Sequence, residues 1–194
     1  MDLPNSQRKL EVISSTALNS VQRFEPADYY ITCQAGLPLA DLYRLLNEKK
    51  LHFPFLESGT AGTVGGMVAL GQLLSAGNCF NISRWILALK VAMPNGDIIK
   101  TGAVTYKSVA GYDLPKLFCG SFGTLGIIVE AALRLYPEKF APFGKDLLPV
   151  TRKSPILGDV PAKPANRSGE IALRIKQAFD PEHVFPTICG WNVD

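Results

Sequence analysis

Between Ser58 and Gly71 the chain reads S-G-T-A-G-T-V-G-G-M-V-A-L-G, with five glycines and no charged side chain. Glycine lets backbone come close to a neighbour or a ligand, and it permits positive φ. Val64, Met67, Val68 and Leu70 then follow as a helix entering a core would. A glycine turn that opens a helix leaves amide N–H groups unpaired at the positive pole of the helix dipole. Such an end suits a phosphate or pyrophosphate. The same glycines suit a turn packed tightly between two elements, and the residues alone leave both readings open. The spacing is not G-x-G-x-x-G, so a nicotinamide-binding turn gains little support. A second run, Gly120-Ser-Phe-Gly123-Thr-Leu-Gly126, places glycine at every third position. Its plain reading is a tight entry into a strand.

Other chemistry is sparse. Cys33, Cys79, Cys119 and Cys189 lie far apart and form no C-x-x-C pair, so no zinc or iron–sulfur ligand set is visible. They read as buried free thiols. The two histidines, His52 and His183, are more than a hundred residues apart, which gives a metal site or a catalytic triad poor support. A net charge of +3 is too weak to argue for nucleic acid.

The elements that must position these residues are legible in part. Tyr29–Ala35 is rich in β-formers and reads as a strand broken by Gly36. Pro38 suits a first helical turn, and Leu39, Leu42, Tyr43 and Leu46 form one apolar face of a helix to about Lys50. Lys49 and Lys50 then fall in its last turn. His52–Phe55 is an extended bridge into the glycine stretch. Residues 72–83 are polar and glycine-broken and read as a loop. Ile86–Met93 is a strand, Pro94-Asn95-Gly96-Asp97 a turn, and Asp97–Thr101 the returning strand of a hairpin. Thr105–Gly111 reads as a loop, and Asp113 as the cap of a short helix with Pro115 in its first turn. Ile127–Tyr136 is a strand stopped by Pro137. Six prolines between Pro137 and Pro164 mark a surface linker with little regular structure. A last helix runs over Glu170–Phe179, opened by Ser168 or Gly169. The Asn95-Gly96 hairpin requires antiparallel neighbours, so the expected fold is α+β with a mixed or antiparallel sheet and flanking helices.

At 47% hydrophobic and 19% charged residues, a core can form in a chain of 194 residues. Residues 58–83 carry no charge, but six glycines and scattered Thr, Gln, Ser and Asn argue against a membrane span. Met1–Glu11 lacks the apolar core of a signal peptide. The expectation is a cytoplasmic protein with no membrane span.

Three blocks taken together carry a resemblance: Thr63-Val-Gly-Gly-Met67, Lys107-Ser-Val-Ala-Gly-Tyr-Asp113 and Gly120-Ser-Phe-Gly-Thr-Leu-Gly-Ile-Ile128. With them the chain resembles the FAD-binding (PCMH-type) domain of the vanillyl-alcohol oxidase / para-cresol methylhydroxylase superfamily, over roughly Leu10–Pro137 and the tail Arg174–Pro186. The middle block looks most like an FAD-binding subunit of bacterial glycolate oxidase. Ile175-Lys176 and Phe179-Asp180-Pro181 look like that family's closing helix.

The resemblance implies FAD as cofactor, with pyrophosphate contacts at Thr60, Thr63, Gly65 and Gly66. Gly123, Gly126 and Ile128 would line the adenosine and ribityl portion. It implies a second FAD subdomain at 1–137, a proline-rich linker at 138–167 in place of the substrate cap, and a closing helix and tail at 168–194. The family's earlier subdomain, with its own glycine loop, has no counterpart in these residues. Arg84 keeps a basic position, but Trp85 stands where the family commonly has Asp, and Phe185-Pro186-Thr187-Ile188 replaces Asn-Pro-Gly.

Two functions follow. One is the FAD-binding subunit of a glycolate-oxidase-like 2-hydroxy-acid dehydrogenase, passing hydride from substrate to flavin and electrons to a separate iron–sulfur subunit. Lys107, Tyr112 and Asp113 are the groups that could serve as a base, and each also reads as structural. The other is a non-catalytic interaction subunit supporting a flavin-bearing partner. In either case other subunits or self-association would complete the fold, because lost subdomains leave apolar surface to cover. The isolated chain is expected to bind FAD weakly or not at all.

Overall fold

A computed structural model describes residues 12–75, 78–104, 113–138 and 167–186. Along the chain these form β1 (Val21–Glu25), β2 (Tyr30–Gln34), α1 (Leu39–Glu48), β3 (Leu51–His52), α2 (Val64–Leu70), β4 (Gln72–Ser75) and β5 (Asn78–Asn81). There follow β6 (Ile86–Ala92), β7 (Ile98–Gly102), α3 (Pro115–Phe118), β8 (Ile127–Arg134), β9 (Tyr136–Pro137) and α4 (Arg167–Phe179).

The main sheet has five strands in the order β1-β2-β8-β6-β7, and every pairing in it is antiparallel. The Asn95-Gly96 turn joins β6 to β7. Gly96 sits at φ +86°, and the Met93 amide donates to the Asp97 carbonyl at 2.8 Å. β8 inserts between β2 and β6, so the two halves of the chain share one sheet. On its inner face Ile31, Cys33, Leu133 and Val91 are fully buried, together with Val64 and Val68 of α2 and Leu42 of α1. Leu39, Leu42 and Leu46 of α1 are the buried positions, as the i, i+3, i+7 spacing demands.

Several expectations change. β1 is not legible in the sequence, and it is an outer strand whose first three residues are exposed. The stretch expected to be a loop after Gly71 is a β4–β5 hairpin, followed by a short 3-10 turn at Ser83–Trp85. α1 ends at Glu48 with Lys49 as its C-cap, so Lys49 and Lys50 lie past the last turn. Asp113 does not cap α3. Leu114 holds the N-cap position without a side-chain bond, and the Asp113 carboxylate pairs instead with Lys116 Nζ at 2.5 Å. α4 begins three residues earlier than the expected Glu170, at Arg167. The loop expected at Thr105–Gly111, nearly all of the proline-rich linker, and the tail beyond Pro186 lie outside the described residues.

Candidate functional site

α2 is the short helix between the two glycine runs, and each end of it is tied down by main-chain bonds. At its start the Val64 amide donates to the Leu37 carbonyl at 2.9 Å and the Gly65 amide to the Ala35 carbonyl at 2.7 Å. The Gly66 amide donates to Thr63 Oγ1 at 3.2 Å, with Thr63 as N-cap. Three of the four helix-start amides expected to be bare are therefore already bonded. Acceptors just beyond β2, distant in sequence, have taken two of them, and the Thr63 hydroxyl a third.

The open donors lie one step upstream. Thr60 closes a turn with Glu57: its amide and hydroxyl both donate to the Glu57 carbonyl, at 3.2 and 2.9 Å, and the Glu57 amide donates to Thr60 Oγ1 at 3.2 Å. Downstream, the Leu39 amide donates to the Gly62 carbonyl at 3.0 Å, and Thr63 bridges to Pro38. Between these anchors the amides of Ser58, Gly59, Ala61, Gly62 and Thr63 make no hydrogen bond among the described residues. Ser58, Gly59, Ala61 and Gly62 are exposed. Gly59 (φ +82°) and Gly62 (φ +105°) hold the left-handed backbone that glycine tolerates best. No atom lies within 4 Å of where a Gly59 Cβ would stand.

The second glycine run caps the other end of α2. The Gly120 amide donates to the Val68 carbonyl at 3.0 Å, and the Phe122 amide to the Ala69 carbonyl at 2.8 Å. Gly71 ends the helix at φ +66°, where a Cβ would meet the Gly120 Cα at 2.8 Å. The 58–63 loop and the second run thus adjoin opposite ends of a seven-residue helix about 10 Å long.

Among the residues that the resemblance points to, Thr60, Thr63 and the neighbouring open amides form one loop. The Cβ position of Gly66 meets only the capping Thr63 Oγ1, at 3.4 Å. Gly123 (φ +75°) has open space at its Cβ position. Gly65 and Gly126 have clear packing reasons. A Cβ on Gly65 would stand 2.7 Å from the Ala35 Cβ, and one on Gly126 would stand 2.5 Å from Val91 Cγ1. Ile128 is buried in β8 opposite Val91. Lys107 and Tyr112 lie outside the described residues, and Asp113 is exposed beside Lys116. The sequence reading does not single out Ser58, Gly59, Ala61 and Gly62, whose amides have no partner among the described residues, although the i, i+3 spacing of Gly59 and Gly62 is a usable signal.

Near this loop the backbone is strained at Phe55 (φ +63°), whose ring stacks on Phe80 at 3.8 Å between centroids and meets Trp85 edge-on. His52 is half-buried. Burial holds its imidazole below the ordinary value, partly opposed by Glu138 and Glu57. Burial pushes the Cys33 thiol up to about 12 and the Cys119 thiol up to about 11, so neither is a ready nucleophile or ligand. No group of three metal-binding side chains occurs among the described residues, and none of their helices is long and apolar enough to cross a membrane.

Residues 4–102 match the family described as FAD binding domain. The chain is also similar to glycolate oxidase subunit GlcD of Bacillus subtilis (strain 168), 36% identical over 123 residues, covering 62% of this chain and 26% of that protein. It is 37% identical over 124 residues to the mitochondrial D-lactate dehydrogenase [cytochrome] of Arabidopsis thaliana, covering 63% and 22%. With D-2-hydroxyglutarate dehydrogenase of Xanthomonas citri pv. viticola the identity is 35% over 130 residues, covering 64% and 27%. The chain spans about a quarter of the length of these curated relatives.

Proposed function

The chain belongs to the FAD binding domain family, and on that premise we propose that it is the FAD-binding part of a flavin-dependent 2-hydroxy-acid dehydrogenase of the glycolate-oxidase kind. The observation that carries this reading is the row of open amides from Ser58 to Thr63, with Gly59 and Gly62 turned left-handed. Such a row suits a pyrophosphate, because unpartnered main-chain N–H groups can donate to charge without side-chain bulk. The left-handed turn and open space at Gly123 are suited to a further part of the cofactor.

FAD, when bound, supplies a two-electron acceptor for the oxidation of a hydroxyl-bearing carbon. The protein's own part is binding and orientation. Ser58–Thr63 donates main-chain hydrogen bonds, Thr60 and Thr63 hold that loop in shape, and Gly66 leaves room beside it. Gly65 serves by letting the start of α2 pack on Ala35 just beyond β2, and Gly126 by letting the entry of β8 pack on Val91 of β6. The substrate is a small 2-hydroxy acid, and its acid–base groups come from elsewhere in a complex that includes an iron–sulfur subunit or a second copy of the chain. That assembly is cytoplasmic.

The test is to purify the chain, add FAD, desalt, and record flavin absorbance beside a size measurement. Weak retention by the chain alone, rising when the partner subunits or self-association complete it, and bleaching by a 2-hydroxy acid only in the assembly, supports the proposal. Flavin retained in no mixture would favour the non-catalytic interaction subunit.

A further inference from the structure

Lys176 and Asp180 lie one turn apart on and just after α4, and both are buried, at 5% and 0% exposure. Lys176 Nζ donates to Asp180 Oδ2, to the Phe185 carbonyl at 3.1 Å, and to the Thr124 carbonyl at 2.7 Å. The other bonds of Asp180 close the tail: Oδ1 accepts from the Val184 amide at 2.8 Å and Oδ2 from the Phe185 amide at 2.9 Å. The Lys176 bond to Thr124 therefore reaches out of the closing helix into the second glycine run, between Gly123 and Gly126. Phe179 packs edge-on against Phe118, just before the start of that run.

From this geometry we infer that Lys176 and Asp180 form a latch through which the closing helix positions the 120–126 segment, making Lys176 a positioning residue for the cofactor. The peptide group is planar, so an ammonium holding the Thr124 carbonyl turns the Leu125 N–H away from α4. That amide makes no hydrogen bond among the described residues. Asp180 neutralises the ammonium, which a buried lysine requires, and the Val184 and Phe185 amides satisfy the carboxylate. Thr124 Oγ1 donates to the Ser121 carbonyl at 2.7 Å, so the held peptide is continuous with the turn that caps α2. The inference rests on the FAD reading only for what the segment is positioned toward. The latch itself is a property of the fold.

Lys176→Met and the double variant Lys176→Met/Asp180→Leu test it, because apolar replacement of a whole buried pair commonly restores stability while removing the directed bond. Hydrogen exchange is read in FAD-free protein, and FAD affinity by titration. The latch predicts a folded double variant, exchange of the hydrogen-bonded Ser121, Phe122 and Thr124 amides faster by about tenfold or more, and unchanged exchange in β6 and β8. FAD affinity should fall by about tenfold or more, the loss expected of one charge-assisted bond. Wild-type exchange at those three amides in the double variant would overturn the latch, and so would global unfolding of both variants. If exchange behaves as expected but wild-type protein takes up no FAD, the cofactor reading fails and the latch stands.

Discussion

The Gly65 amide donates to the Ala35 carbonyl at 2.7 Å, and a Cβ on Gly65 would stand 2.7 Å from the Ala35 Cβ. This contact locks the first turn of α2 against the end of β2, and its neighbour Gly66 has no such constraint. Gly65→Ala should therefore lower stability by about 1–3 kcal/mol through overpacking. Gly66→Ala should raise it by up to about 1 kcal/mol through helix propensity, yet weaken FAD binding by crowding the loop. Thermal melts and FAD titrations on both variants separate a packing glycine from a clearance glycine. Weakened FAD binding in Gly65→Ala alone would reverse the two roles.

Thr101 Oγ1 is buried in β7 without a hydrogen-bond partner among the described residues. A buried unsatisfied hydroxyl costs stability, and valine has nearly the same shape. Thr101→Val is expected to raise the unfolding free energy by about 1 kcal/mol in a denaturant titration. A loss of stability would show that the hydroxyl is needed.

Two groups set the acid side of the stability profile. Burial pushes the Asp180 carboxyl up, but the Lys176, Phe185 and Val184 bonds outweigh it and hold it below its ordinary 3.8. A depressed folded value contributes stability that is present above 3.8 and is lost as pH falls through the folded value. His52, lowered by burial from 6.5, contributes in the same sense at higher pH: its contribution is present above 6.5 and declines as pH falls below it. Melts from about pH 8 to about pH 3 should show both declines. His52→Gln should remove the first, and Asp180→Asn should lower the plateau and flatten the second.

Cys33 and Cys119, with thiols raised to about 12 and 11, should alkylate slowly in native protein at mildly alkaline pH and fast after unfolding. Peptide mapping after iodoacetamide gives the rates. Rapid native labelling at Cys119 would mean that its side of α3 opens.

Local periodicity discloses α1, the β6–β7 hairpin and β8, because each buries a regular apolar face or carries a turn of fixed chemistry. β1 stays hidden because V-Q-R-F-E presents mostly exposed residues on an outer strand. The β4–β5 hairpin is hidden because its sequence is interrupted by small and polar residues. At the candidate site the composition discloses the glycine-rich loop and helix, but not that the Val64, Gly65 and Gly66 amides are already bonded. The acceptors that occupy the Val64 and Gly65 amides, Leu37 and Ala35, lie nearly thirty residues upstream, and no local pattern reveals such a pairing. The burial of Lys176 and Asp180 is equally out of reach, since an i, i+4 ion pair reads as solvated surface until Thr124 is seen above it.

The most direct test of the central claim is an amide-resolved nuclear magnetic resonance titration of the full chain with FAD, which detects weak binding as well as tight. An FAD cradle at this loop predicts the largest shifts at Ser58, Gly59, Ala61, Gly62 and Thr63, with a second group at Gly123 and Leu125, and little change at Val64 and Gly65, whose amides are already bonded. Shifts concentrated at Val64–Gly66, or none along Ser58–Thr63 at saturating FAD, would contradict it.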